Sequence, residues 1–86
     1  MSYWKQEAER CDARAADYDA KAAAYDPIIA DSEAKLSPHD RGPLASMYRA
    51  TYTHWLFCKN QMTCAANAER LKADEARRAA KQHATV

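Results

Sequence analysis

Residues 4–38 read WKQEAER CDARAAD YDAKAAA YDPIIAD SEAKLSP, five consecutive segments of seven residues that share one pattern. The first and fifth places of the segments hold Trp4, Ala8, Cys11, Ala15, Tyr18, Ala22, Tyr25, Ile29, Ser32 and Leu36. Spacings that alternate between four and three residues are typical of a helix packed lengthwise on another helix. The second place is charged in every segment, and we expect it to flank this seam in solvent.

Pro27 lies inside the repeat. It removes a backbone donor and clashes with the carbonyl group of Ala23, which costs about 3 kcal/mol in a straight helix. Asp26 is a good residue to cap a new helix. The seam nevertheless stays in phase through Leu36, whereas an inserted loop usually shifts the phase. We therefore predict a first helix over about 3–36 that is kinked near Pro27, with a break into two helices as the alternative.

The segment SPHDRGP, residues 37–43, holds two prolines and the only glycine, and it predicts the turn that ends the first helix. No proline or glycine follows, so we predict a second helix over about 44–82 and a frayed C-terminus at 83–86. Its expected seam is Leu44, Tyr48, Thr51, Trp55, Cys58, Met62 and Ala65, and a second apolar stripe is Phe57, Cys64, Ala68 and Leu71. If residue 36 opposes residue 44, Tyr25 lies near Trp55.

Composition agrees with an all-α fold. Alanine is the commonest residue, valine occurs once and isoleucine twice, so good helix formers dominate over strand formers. The 86 residues make one helical domain, 1–86, folded as an antiparallel helical hairpin. A single core of this size is marginal. We therefore expect the hairpin to pair with a second copy into a homodimeric four-helix bundle.

The second helix carries more apolar surface than one partner helix covers. Trp55, Leu56 and Phe57 are consecutive and span about 200° of a helix. Exposed apolar area of this kind marks contact surfaces, and Tyr, Trp and Arg are enriched at interface hot spots. The predicted protein-binding residues are Tyr48, Arg49, Tyr52, Trp55, Leu56 and Phe57.

Motifs for catalysis or cofactors are absent from the sequence. One glycine makes neither a GxSxG elbow nor a phosphate-binding loop, so we expect no enzyme activity and no cofactor. His54 and Cys58 lie one helical turn apart and are weak candidates for metal ligands, since a zinc site needs two more. We predict no metal site. Three cysteines at no disulfide or zinc-finger spacing indicate reduced thiols in a cytosol.

Charge separates the two halves of the chain. Residues 1–42 carry six basic and nine acidic residues, a net charge of −3, and residues 43–86 carry seven basic and three acidic residues, a net charge of +4. Segments of opposite charge that fold back on each other attract weakly, and we prefer this interpretation to a dedicated basic binding face. Nucleic-acid binding through the basic C-terminal helix stays as an alternative.

The expected function is non-enzymatic binding of another protein, as a small adaptor or as an inhibitor that covers a surface of a larger complex. Small cofactor-free cytosolic proteins of this kind are common among accessory proteins of phages and mobile elements, including anti-defence proteins. We expect a cytoplasmic location in a bacterial or phage-infected cell, because no signal-peptide h-region or membrane-spanning apolar run is present. A purely structural homo-oligomer is the main alternative.

Overall fold

The computed structural model describes residues 3–36 and 41–84, which form three helices and no strand. The helices are α1 (Tyr3–Ala24), α2 (Asp26–Leu36) and α3 (Ala45–Ala84). The first two form one arm of a hairpin, and α3 is the other arm. Asp12 pairs with Arg77 and Asp26 with Lys59, so the arms run antiparallel. The predicted all-α hairpin is confirmed.

The first arm bends at Tyr25, the single residue between α1 and α2. Its backbone N–H donates to the carbonyl of Ala22 at 3.1 Å, and its carbonyl accepts from the N–H of Ile29 at 2.8 Å. Pro27 has no N–H to donate to the carbonyl of Ala23, which explains why the regular ladder stops here. No loop is inserted, so the arm is bent and keeps its phase as predicted.

The turn between the arms is described only from residue 41 onward. Ala45 begins α3, and its N–H donates to the carbonyl of Gly42 at 3.0 Å. Residues 37–40, predicted as the first part of the turn, lie outside the described residues. The second arm continues through Ala84, two residues beyond the predicted end, so residues 83 and 84 are helical where fraying was expected. Residues 85–86 also lie outside the described ranges.

The seam of the first arm is confirmed position by position. All ten predicted residues are buried or half-buried, and alanine or cysteine occupies the most enclosed positions. The Tyr25 and Trp55 rings lie 5.8 Å apart between centroids, as the expected register requires. Periodicity was sufficient here because the large aromatic residues Trp4, Tyr18 and Tyr25 all lie at the first place of their heptads.

The seam of the second arm matches the prediction in part. The predicted residues Tyr48, Trp55, Cys58, Met62 and Ala65 are half-buried as expected, with Lys59 and Ala66 enclosed beside them. Leu44 and Thr51 are exposed, and the neighbouring Ala45 and Tyr52 are enclosed in their place. Hydrophobicity does not rank such adjacent positions. Small alanines at positions 45 and 66 let the helices approach closely. Lys59 packs its aliphatic stem at the seam while its ammonium group reaches Asp26.

Small side chains form the core of the hairpin. The buried apolar residues in the described ranges are Ala8, Cys11, Ala15, Ala22, Ala45, Ala66, Ala73 and Ala76. Burial of a methyl group stabilises the fold by only about 0.8 kcal/mol. The hairpin therefore gains little free energy from its core relative to its length, since the large apolar side chains lie at its edges or outside it.

The hairpin is long and thin, with extents of 67 × 15 × 12 Å. Its radius of gyration is 19.4 Å, whereas a compact domain of 86 residues has about 12 Å. Its accessible surface area is 6201 Å², whereas a compact monomer of 9.7 kDa exposes about 5,100 Å². The excess is about 1,100 Å², surface that a single compact domain of this mass covers.

The close approach of the arms predicts that a larger side chain at the seam is not tolerated. Ala66→Leu should lower the free energy of unfolding by about 1–3 kcal/mol because the seam has no space for it. Ala20→Leu, at an exposed position of α1, makes the same chemical change and should have little effect. Urea denaturation of both variants measures the difference, and equal stabilities would contradict the seam.

Candidate functional site

One flank of the hairpin is closed by a ladder of three ion pairs between the arms. Asp12 pairs with Arg77, Asp19 with Arg70, and Asp26 with Lys59. The three aspartates occupy the second place of successive heptads, where solvent exposure alone was expected. These side chains are about half exposed, so each pair contributes at most about 1 kcal/mol. We call this side the ladder flank.

The opposite flank contains a polar cluster of Glu7, Cys11, Arg14 and Glu69. Arg14 Nε donates to Glu69 Oε2 at 3.1 Å across the two arms. Glu69 is only 8% exposed and occupies a seam position between alanines. Arg14 Nη2 also donates to Cys11 Sγ at 3.2 Å and lies 3.7 Å from Glu7 Oε1. The cluster supplies a hydrogen-bond donor to the nearly buried carboxylate of Glu69, within the contact between α1 and α3.

The protonation of the cluster follows from these contacts. The hydrogen bond from Arg14 lowers the pKa of Glu69 below its usual value, although burial opposes the shift. The same bond raises the pKa of Arg14. Burial raises the pKa of the Cys11 thiol, while the charge of Arg14 partly offsets this. Burial therefore disfavours the thiolate form of Cys11, which is the nucleophilic form of a cysteine.

The predicted protein-binding residues occupy two faces of α3. Tyr48, Tyr52 and Trp55 are half-buried against the first arm, and Leu56 is half-buried at its edge. Arg49 is exposed, and Phe57 lies outside the seam with 59% of its surface accessible. The structure therefore does not bring the six residues together in one patch.

A groove of about 220 Å³ lies between α2 and α3, close to the bend. It is lined by Ile28, Ser32, Lys35, Met47, Tyr48 and Trp55, among others. Ile28 and Met47 are exposed apolar residues at this groove, which we call the bend-end groove. Tyr48 and Trp55 were predicted for binding. Ile28 was missed because its place at the groove depends on how α2 packs beside α3, which the local sequence does not specify.

A second exposed apolar surface lies on the back of α3. Phe57, Cys64, Ala68 and Leu71, the second stripe of the sequence, are all exposed, Leu71 at 64%. These positions are spaced by seven, four and three residues, so they share one face about 150° around the helix from the seam. We call this surface the back stripe. No part of the first arm packs on it within the described ranges.

The His54–Cys58 pair and a groove near the open end of the hairpin are weaker candidates for a functional site. Cys58 Sγ and His54 Nε2 are 3.7 Å apart, but no group of three or more potential metal ligands exists among residues 3–36 and 41–84. All three cysteines are free thiols.

Near the open end, a groove of about 500 Å³ is lined by Lys5, Ala8, Glu9, Asp12, Arg77, Ala80 and Lys81. Its charges of both signs select no single ligand.

The basic C-terminal segment uses much of its charge within the hairpin. Arg70 and Arg77 pair with aspartates of α1, and Lys72 lies 3.5 Å from Glu69. Cations that already neutralise carboxylates release fewer counterions from a nucleic acid. These contacts favour the interpretation that the opposite charges of the two halves hold the arms together.

No protein-family model, curated protein or solved structure matches this chain. Across the two described ranges, no helix combines the length and the apolar character needed to cross a lipid bilayer. The surfaces of the hairpin are therefore the basis for a functional proposal.

The Arg14–Glu69 hydrogen bond predicts a specific dependence of stability on pH. Because the pKa of Glu69 is lowered in the folded state, its contribution is present above the usual value of about 4.5 and is lost as the pH falls through the folded-state pKa. Glu69→Gln should make the free energy of unfolding depend less on pH in this acidic range. Urea midpoints measured between about pH 3 and 7 provide the comparison.

The matched control is Glu75→Gln, which removes an exposed carboxylate from the same helix. Its urea midpoints at acidic pH should stay close to those of the unmodified chain. Superimposable profiles for the Glu69→Gln variant and the unmodified chain would contradict the assigned role of the cluster.

Proposed function

We propose that this chain is a non-enzymatic helical protein–protein interaction module that pairs with a second copy and binds another protein as a small adaptor or inhibitor. The observation that carries the proposal is the distribution of apolar side chains. Alanines fill the core, while Met47, Phe57 and Leu71 are each more than half exposed. Complete burial of one such side chain in an interface is worth about 1.5–3 kcal/mol.

The bend-end groove is the proposed site for the other protein. Tyr48 and Trp55 line it, and exposed Ile28 and Met47 add apolar surface at its edge. Aromatic residues in a concave apolar site are typical of interface hot spots. Lys35 and Asp31, which pair with each other at 3.0 Å, supply a polar rim. We propose that a partner inserts one or two apolar side chains between α2 and α3.

The proposed biological setting is a cytoplasmic accessory protein, of the kind that phages and mobile elements use to block host proteins. A short chain without a catalytic motif, with binding surface along a rigid hairpin, suits a protein that acts by covering a surface of a larger complex. An inhibitor of this type needs shape and apolar contact but no chemistry of its own.

A purely structural homo-oligomer is the second candidate. The observation that favours it is the excess of about 1,100 Å² of accessible surface over that of a compact monomer. A protein of this kind would bury both the bend-end groove and the back stripe against copies of itself. The two candidates differ in whether the bend-end groove stays accessible after self-association.

Affinity purification from the native host tests the proposal. The tagged chain should retain a specific protein, and a variant with Ile28→Glu and Met47→Glu should reduce its recovery at least about tenfold, because two charges would enter an apolar contact. Ala13→Glu and Ala20→Glu together place the same charges on exposed positions of α1 and serve as the control.

Recovery must fall in the groove variant and persist in the control variant. Absence of any specifically retained protein, or equal recovery with both variants, would refute the proposed site. Trp55 is unsuitable for this test because its ring packs near Tyr25 and its replacement would disturb the hairpin.

A further inference from the structure

We propose that the back stripe of α3 is the self-association face, and that it pairs with the back stripe of a second copy in antiparallel orientation. The two α3 helices then lie in the centre of the dimer, and the first arms lie outside. The inference rests on the homodimer in the proposed function and specifies the face, the orientation and the opposing residues.

The geometry of the stripe matches a helix–helix contact. Positions 50, 54, 57, 61, 64, 68 and 71 of α3 alternate between spacings of four and three residues, which is a second seam on the same helix. All seven are exposed in the hairpin. The stripe extends for about 33 Å at 1.5 Å per residue, long enough for a continuous contact between two helices.

The stripe has no lysine, arginine or acidic residue over this length. Besides the back-stripe residues Phe57, Cys64, Ala68 and Leu71, the seven positions hold Ala50, His54 and Gln61. Lys59 is the only lysine, arginine or acidic residue between positions 50 and 68, and it reaches Asp26 on the ladder flank. An outward face of a solvated helix ordinarily carries charges. Here the face of α3 that has no partner within the described hairpin carries no lysine, arginine or acidic residue.

Charge also decides the orientation of the pair. Seven charged residues lie between positions 70 and 81. A parallel pair would bring each of them close to its own counterpart, with Glu75 and Arg78 each facing an identical charge. An antiparallel pair in the register given below places this charged end beside residues 44–55 of the second copy, where Arg49 is the only lysine, arginine or acidic residue. The helix dipoles then also oppose each other favourably.

Side-chain size gives the register of the antiparallel pair. With Gln61 opposite Cys64 of the second copy, Phe57 lies opposite Ala68 of that copy, and the same contact recurs on the other side of the two-fold axis. A large ring against a small side chain allows the same close approach that alanines provide within the hairpin. His54 then lies opposite Leu71 of the second copy.

The elongated shape leaves surface for such a dimer. A stable interface covers about 800 Å² on each partner, and the hairpin as a whole exposes about 1,100 Å² more than a compact monomer of its mass. In a four-helix bundle with a square cross-section, the two hairpins would instead pack through one of their flanks, the sides that both arms line. One flank carries the ion-pair ladder, and the other carries Arg14, Lys21 and Lys35 at the fourth place of the heptads. Both are more charged than the back stripe.

Sedimentation velocity with charge-reversal variants tests this arrangement. The unmodified chain should sediment as a dimer of twice 9.7 kDa, and Phe57→Glu should raise the dissociation constant at least about tenfold, because it puts a carboxylate into an apolar contact. Ala20→Glu, at an exposed position of α1 on the first arm, should leave the dimer intact. Circular dichroism establishes that each variant is helical.

A second substitution tests the orientation. Combining Phe57→Glu with Ala68→Lys should restore the dimer, because the antiparallel register places each new glutamate beside a new lysine of the second copy. In a parallel pair each glutamate would still face a glutamate. Failure of this rescue would overturn the antiparallel register, and Leu71→Glu, which should also dissociate the dimer, is an independent test of the face.

Two results would overturn the inference. The first is an unmodified chain that is monomeric at about 100 µM, a concentration at which the proposed interface should be populated. The second is a dimer that survives both Phe57→Glu and Leu71→Glu. Failure of the dimer and failure of partner binding give different experimental results. Loss of partner recovery in the Ile28→Glu, Met47→Glu variant would uphold partner binding even if the chain is monomeric. Unchanged recovery would refute that binding site even if the back stripe forms the dimer.

Discussion

The structure depends on the close approach of two helices along a seam of small residues. Ala8, Ala15 and Ala22 of the first arm are buried, as are the alanines of α3 at positions 45, 66, 73 and 76. Large side chains at such enclosed positions would push the arms apart. Close packing aligns the arms over most of their length, but each alanine contributes little burial free energy. Large apolar residues of α3 are consequently placed at the edges or on the outside, where they are available for other contacts.

Polar groups determine which alignment of the two arms is formed. The most enclosed positions are mostly alanine, so the apolar contact at these positions distinguishes neighbouring registers weakly. The Arg14–Glu69 hydrogen bond and the ion pairs of Asp12 and Asp19 are all formed together in the observed register. A nearly buried carboxylate without its arginine is unfavourable. The bend at Tyr25 then tilts α2 and shapes the bend-end groove with α3.

The heptads of the first arm were sufficient to predict its seam, its bend and its antiparallel partner. The seam of α3 was predicted only in part, because apolar residues occupy neighbouring positions such as 44 and 45 or 65 and 66, and periodicity does not rank them. Lys59 shows the limit most clearly, since a lysine at a seam position is recognised only once Asp26 is seen opposite it. Ile28 belongs to the groove through the tertiary position of α2, which local sequence does not specify.

The central claim is that an alanine-cored hairpin is stabilised by contacts outside its own core. The thermal unfolding midpoint as a function of protein concentration measures this directly. If folding is coupled to association, the midpoint should rise by roughly 5–8 °C between about 1 and 100 µM. A midpoint that does not change over this range would show that the hairpin is stable alone and would contradict the claim.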